Sequence, residues 1–232
     1  MIYFDQVSKI YNSNGNGSLN SVALDNITFS IESGEFVSIV GHSGAGKTTL
    51  IKMLLAEDRP TQGDVLFGST NIHKLDKKSL NDYRRQVGVV FQDFRLLPHK
   101  TAYENIAFAM EAAGRSDEEI DSDVPHALEL VDLEEKMWNF PKELSSGECQ
   151  RVAIARAIIN QPYILIADEP TGNLDPVNTD DIIQILKKIN DLDTTVLLTT
   201  HNKDVIDALG KRVVTMEKGS IVKDDMHGKY VL

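Results

Sequence analysis

The stretch Phe36-Val37-Ser38-Ile39-Val40-Gly41-His42-Ser43-Gly44-Ala45-Gly46-Lys47-Thr48-Thr49 decides how this chain is read. It runs from a short apolar strand through a glycine-rich loop into residues 47–56, which are helical by composition. Its centre matches G-x-x-x-x-G-K-[ST]. Backbone N–H groups hold phosphate oxygens only where the backbone comes close, so glycine stands where a side chain would obstruct. The N-terminus of the following helix adds partial positive charge. Lys47 has the reach for β- and γ-phosphates, and the Thr48 hydroxyl suits Mg²⁺. His42, Ser43, Ala45 and Thr49 complete the candidate binding segment. The pattern reads as a nucleoside triphosphate site, without saying what machine it drives.

Outward from the loop, residues 163–167 and 195–199 are short apolar runs bounded by polar turns, as interior parallel strands are. Residues 179–189 between them have helical spacing, which predicts a parallel α/β core. At the N-terminus, residues 2–11 mix β-formers with polar residues like an exposed strand. Residues 12–20, rich in Asn and Gly, read as a wide hairpin connection to a second strand at 22–31. Between residues 100 and 160 the apolar positions follow helical spacing, with no good strand. Residues 117–135 carry nine acids and no Lys or Arg, the mark of a solvated helix face. This helical stretch reads as an insertion into the α/β core.

Composition bounds the rest. With 232 residues, 41% hydrophobic and 25% charged, the chain is ordinary globular protein. Its 24 basic against 35 acidic residues give a charge of −11, which argues against coating nucleic acid through a broad basic surface. The single cysteine, Cys149, suits a reducing compartment. No apolar run approaches the roughly 18 residues of a membrane span, and residues 1–5 lack signal-peptide character. The expectation is a cytoplasmic protein whose dealings with a membrane go through a partner. Residues 77–100, with six basic and two acidic side chains, would present a face less repelled by anionic lipid, or simply mixed solvated charge.

Two further stretches carry chemistry. Ile164-Leu165-Ile166-Ala167-Asp168-Glu169 is an apolar strand ending in two carboxylates. Ligands of parallel sheets lie at the carboxyl ends of strands. Asp168 is therefore expected to hold Mg²⁺ through water, and Glu169 to polarise an attacking water as general base. Leu144-Ser145-Ser146-Gly147-Glu148 precedes Cys149-Gln150-Arg151-Val152-Ala153-Ile154-Ala155-Arg156-Ala157, and Ser145 with Glu148 has capping-box spacing.

Together and in this order, these motifs resemble the ATP-binding cassette (ABC) ATPases over nearly the whole chain. The resemblance implies an α/β P-loop NTPase of the ABC type. Its mainly parallel sheet core would have an N-terminal antiparallel β part and an inserted helical subdomain. That is one nucleotide-binding domain, 1–232, with 1–92 and 156–232 as core and 93–155 as helical subdomain. It implies ATP and Mg²⁺ as ligands and a homodimer bridged by ATP, in which Ser145, Gly147 and Glu148 of one copy complete the site of the other. By the same resemblance Tyr11 stacks on adenine, and Gln92 touches Mg²⁺ and senses a membrane partner. Asp175, in Gly172-Asn173-Leu174-Asp175, lies in a loop crossing the dimer seam, and His201 contacts the γ-phosphate. Lys47, Glu169 and His201 are then the catalytic set, and Thr48, Gln92 and Asp168 the metal set. Ser146 replaces the family's usual glycine, which puts dimer closure in question if that backbone needs glycine's freedom. Cys149 replaces a usual glutamine; a thiol depressed by the helix N-terminus is one reading, an inert small residue the other.

Residues 91–110 resemble the cell-division branch of the family, whereas residues 166–176 are shared with lipoprotein-release and macrolide-efflux relatives. The first likeness implies a peripheral ATPase on the cytoplasmic face, held by an integral membrane partner and not by nucleic acid. A transporter subunit of the second kind stays open as the alternative.

Overall fold

Residues 1–12 and 20–229 of a computed structural model are described. The hairpin connection expected over residues 12–20 lies, for residues 13–19, outside them. The chain divides into two compact units, Met1–Arg84 with Leu197–Leu232, and Arg85–Val196.

In the first unit, β1 (Ile2–Tyr11) runs antiparallel to both β2 (Ser21–Ile31) and β4 (Gln62–Phe67), with β5 (Thr70–Asn71) beyond β4. This corrects the reading of β1 as an exposed strand. It is the inner strand of its sheet, with Ile2, Phe4 and Val7 buried and the Phe4 ring stacked on Phe29 at 4.8 Å. Its register shifts between Phe4 and Val7, where Gln6 has φ 49°, so the buried positions do not alternate strictly and the polar residues between them disguise an inner strand.

The strand before the loop, β3 (Phe36–Val40), is buried at all five positions. It pairs in parallel with β9 (Arg212–Glu217), Val37 facing Arg212 and Val40 facing Thr215. β9 turns back into antiparallel β10 (Ser220–Asp225). The connecting Lys218-Gly219 both have positive φ, 49° and 84°, as a two-residue hairpin requires. Lysine is an uncommon first residue there, and the sequence reading passed over both strands. Helix α1 (Lys47–Leu54) follows the loop and buries Leu50, Ile51, Met53 and Leu54.

Helix α2 (Lys77–Arg85) buries Tyr83, whose hydroxyl donates to the Leu54 carbonyl at 2.6 Å and whose pKa burial pushes well up. β8 (Thr195–Thr199), wholly buried, follows β3 in the sheet order, and the Thr200 N–H donates to the Ile39 carbonyl.

In the second unit, β6 (Val87–Phe91) and β7 (Ile164–Asp168) pair in parallel, in register from Val87 opposite Ile164 to Phe91 opposite Asp168. Helices α3 (Ala102–Ala113), α4 (Asp117–Leu130) and α5 (Ser146–Ile158) each start at a complete capping box: Thr101 with Glu104, Ser116 with Glu119, Ser145 with Glu148. Among the described residues, 100–160 hold no strand, as the helical spacing predicts. The nine acids of 117–135 are all exposed, while α4 buries Ile120, Val124, Ala127 and Leu128. Helix α6 (Pro176–Asp191) exceeds the expected 179–189 at both ends. Apolar spacing marks only the buried stripe; the cap Asp175 and Pro176 at the first helical position set the start.

Candidate functional site

The loop between β3 and α1 is built for close approach. Gly46 has φ +107°, and a Cβ there would lie 2.6 Å from the Ala23 carbonyl oxygen, so glycine is required twice over. No side chain caps α1 and its first turn holds no acid, which leaves the helix end suited to a bound anion. The Lys47 ammonium folds back over the loop, donating to the Gly41 carbonyl at 2.6 Å and to that of His42 at 3.4 Å. The side chains of His42, Ser43 and Thr48 are exposed; Ala45 is buried.

Tyr11, at the end of β1, donates its hydroxyl to Asp58 at 2.9 Å and also meets Thr49 of α1. Burial, then Asp58, raises its pKa. The first unit therefore holds Tyr11 against the phosphate-loop helix with its ring partly exposed. His201 is exposed between the end of β8 and Asn202, which caps α7 (Lys203–Leu209). The bond from Thr200 to Ile39 brings this segment out beside the strand that leads into Gly41.

The second unit collects the carboxylates and the glutamine. Because Phe91 is in register with Asp168, Gln92 leaves β6 at the end where Asp168 and Glu169 leave β7. Gln92 Nε2 donates to Asn173 Oδ1 at 3.3 Å, the Gln92 carbonyl accepts from Asn173 Nδ2 at 3.3 Å, and a Cβ on Gly172 would meet Gln92 Nε2 at 2.9 Å. Glu169 has φ +49° directly before Pro170, a backbone state that costs a glutamate about 1 kcal/mol or more and persists only where the surroundings impose it. No sequence pattern announced this strain.

The capping box expected at the head of α5 is present. Ser145 Oγ accepts from the Glu148 N–H at 3.3 Å, and the Glu148 carboxylate accepts from the Ser145 N–H at 2.8 Å. Lys136 also bonds this carboxylate and is the largest cause of its lowered pKa. Ser146 is the first helical residue and has no positive φ, so glycine's conformational freedom is not needed there. The depressed-thiol reading of Cys149 is corrected. Its thiol is buried and donates to the Pro141 carbonyl at 3.5 Å, and burial followed by the Glu148 charge pushes its pKa up.

Further along α5, the fully buried Gln150 donates to the Phe91 carbonyl at 3.4 Å. Arg156 donates to the carbonyls of Phe94 (2.9 Å) and Arg95 (2.7 Å), two consecutive residues of positive φ. One helix thus presents Ser145 at its head and pins the segment after Gln92 along its side. Sequence reasoning missed both Gln150 and Arg156, because their partners lie some sixty residues away.

Asp175 accepts from the N–H groups of Val177 and Asn178, both at 3.0 Å, and bonds the Asn178 carboxamide; the Asn178 bonds hold its carboxyl below the usual range. That carboxamide lies over Gly147, where a Cβ would stand 1.9 Å from its oxygen. Gly147→Ala is expected to push Asn178 off Asp175 and lower stability by about 1 kcal/mol, the net worth of a hydrogen bond. Thermal unfolding checks this: in an Asn178→Ala background the same substitution should cost almost nothing.

The ABC transporter family model matches residues 24–172 of the chain. The chain is 46% identical over 230 residues to the cell division ATP-binding protein FtsE of Mycobacterium tuberculosis, covering 99% of this chain and 98% of that protein. It is 45% identical to the protein of the same name from Bacillus subtilis, with 97% of each covered. A dimeric structure of the ATP-binding cassette MJ0796 in a post-hydrolysis state, bound to ADP and Pi, matches with a TM-score of 0.87 at 36% identity, covering 99% of this chain and 100% of that one.

Proposed function

The chain belongs to the ABC transporter family, and from that premise we propose that it is the Mg²⁺-dependent ATPase subunit of an FtsEX-type cell-division complex. The observation that carries this reading is likeness to cell-division ATP-binding proteins at 45–46% identity along 97–99% of the chain. The phosphate loop between β3 and α1 supports the nucleotide half of it independently.

The roles follow from the residues' chemistry. Backbone amides of residues 41–48 and the Lys47 ammonium bind the β- and γ-phosphates, and Tyr11 stacks on the adenine. Glu169 accepts a proton from the attacking water, and His201 donates to the γ-phosphate. Thr48, Gln92 and Asp168 offer a hydroxyl, an amide oxygen and a carboxylate, the hard oxygen donors that Mg²⁺ prefers. Among the described residues no three His, Cys, Asp or Glu side chains cluster as a metal cage. A donor set with one carboxylate fits an ion that shares its coordination with substrate phosphates and water. Held by these three side chains, the ion would supply positive charge against that of the triphosphate.

In the proposed dimer Ser145 and Gly147 of one copy contact the γ-phosphate held by another, Glu148 belongs to the same completing segment, and Asp175 lies along the seam between them. The 93–155 segment is the helical subdomain that carries this signature. No described helix is long and apolar enough to cross a membrane. In the proposed complex the subunit sits on the cytoplasmic face of the membrane through an integral partner resembling FtsX. ATP-driven dimerisation signals through that partner to peptidoglycan hydrolases.

The test is purification of the full chain from gentle detergent extracts. Stoichiometric recovery of an FtsX-like protein is the expected result. A lipoprotein-release or macrolide-efflux permease in its place moves the assignment to the transporter branch, with the ATPase chemistry unchanged.

A further inference from the structure

The head of α5, which offers Ser145 and Gly147, also carries a negative charge. Glu148 lies in the first turn, one carboxylate oxygen accepting from the Ser145 N–H at 2.8 Å. Such a carboxylate stabilises the helix by drawing on the positive end of its dipole. The same charge repels a phosphate approaching that end. Lys136, the last residue of the 3₁₀ turn Glu134–Lys136, donates to the other carboxylate oxygen, Oε1. The Glu148 side chain is 14% exposed and that of Lys136 46%, so the pair lies at the surface with Glu148 the more covered partner.

We propose that Lys136 is a positioning residue for the half of the ATP site that a second copy supplies. It holds Glu148 in its capping pose and offsets its charge, so that the Ser145 end of α5 accepts the terminal phosphate of an ATP carried by the partner copy. This inference rests on the ATP-bridged dimer proposed above. Nearby groups do not take over the task. Lys142 lies with its ammonium 5.9 Å over the Phe140 ring, and Glu143 accepts from the Phe140 N–H at 2.8 Å. Since Glu148 is held in its ionised form, its charge has to be offset in place.

The full-length Glu169→Gln protein with ATP and Mg²⁺ is the reference, its dimerisation followed by light scattering against ATP concentration. Adding Lys136→Ala is expected to raise the half-maximal ATP concentration about five-fold, as loss of one partly exposed charge should. Lys136→Arg should restore it. With Glu148→Gln also present, Lys136→Ala should have no further effect. ADP affinity by calorimetry should not move, and the thermal midpoint should fall by no more than about 4 °C, the effect of one partly exposed ion pair. An equal shift in both Glu148 backgrounds, no shift in either, or a shift that follows a lowered midpoint and weaker ADP binding would each overturn the proposal. If the Glu169→Gln reference itself never dimerises with ATP, the proposed function fails and this inference falls with it; that failure appears before any change at Lys136.

Discussion

Glu169→Gln is expected to slow ATP turnover by about two to four orders of magnitude, the range of a lost general base, and to accumulate an ATP-bound dimer. The amide keeps the shape of the carboxylate and loses its ability to take a proton. Position 169 is also held firmly: it follows the buried strand β7, precedes Pro170 and has φ +49°. The substituted side chain should therefore occupy the same place, which makes the loss chemical instead of structural. Phosphate release measures the first effect and size-exclusion chromatography with ATP the second. A variant that releases phosphate at the parental rate would remove Glu169 from the role of base.

Lys47→Ala is expected to weaken ATP binding by about a hundred-fold or more, since charge-assisted hydrogen bonds to phosphate are among the strongest a side chain makes. The ammonium bonds the carbonyls of Gly41 and His42, and so already lies over the loop that would receive the phosphates. Helix α1 depends for its packing on Leu50, Ile51, Met53 and Leu54, not on Lys47, so the variant should stay folded. Calorimetry with ATP is the check, and unchanged affinity would contradict the assignment of this loop as the phosphate grip.

Several local features are legible in the sequence. The loop at residues 41–48 announces itself because its glycines, lysine and threonine fall at the spacing of a phosphate-binding motif within eight consecutive positions. The capping box of Ser145 and Glu148 is likewise a four-residue matter, and the structure has it. Short strands such as β7 and β8 stood out because both faces are covered and a continuous apolar run, Ile164–Ala167 and Val196–Leu198, fills each. Where burial falls on one face only, as in β1, polar residues disguised an inner strand. The Lys218-Gly219 hairpin lacked the usual turn signal, so β9 and β10 went unread.

What the sequence determined by itself is the motif at residues 41–48 with its strand before and helix after, and, through its ordered motifs, the family. Each of those patterns is read within a few consecutive residues, where backbone periodicity alone decides what faces what. Only the tertiary structure decided that Asn178 covers Gly147, that Arg156 holds the carbonyls of Phe94 and Arg95, that Lys136 bonds Glu148 and that Glu169 is strained. The three contacts join groups from twelve to about sixty residues apart, and the strain belongs to how β7 meets the turn that follows. No local pattern encodes such pairings, because they exist only once the packing of helices and strands has brought the groups together.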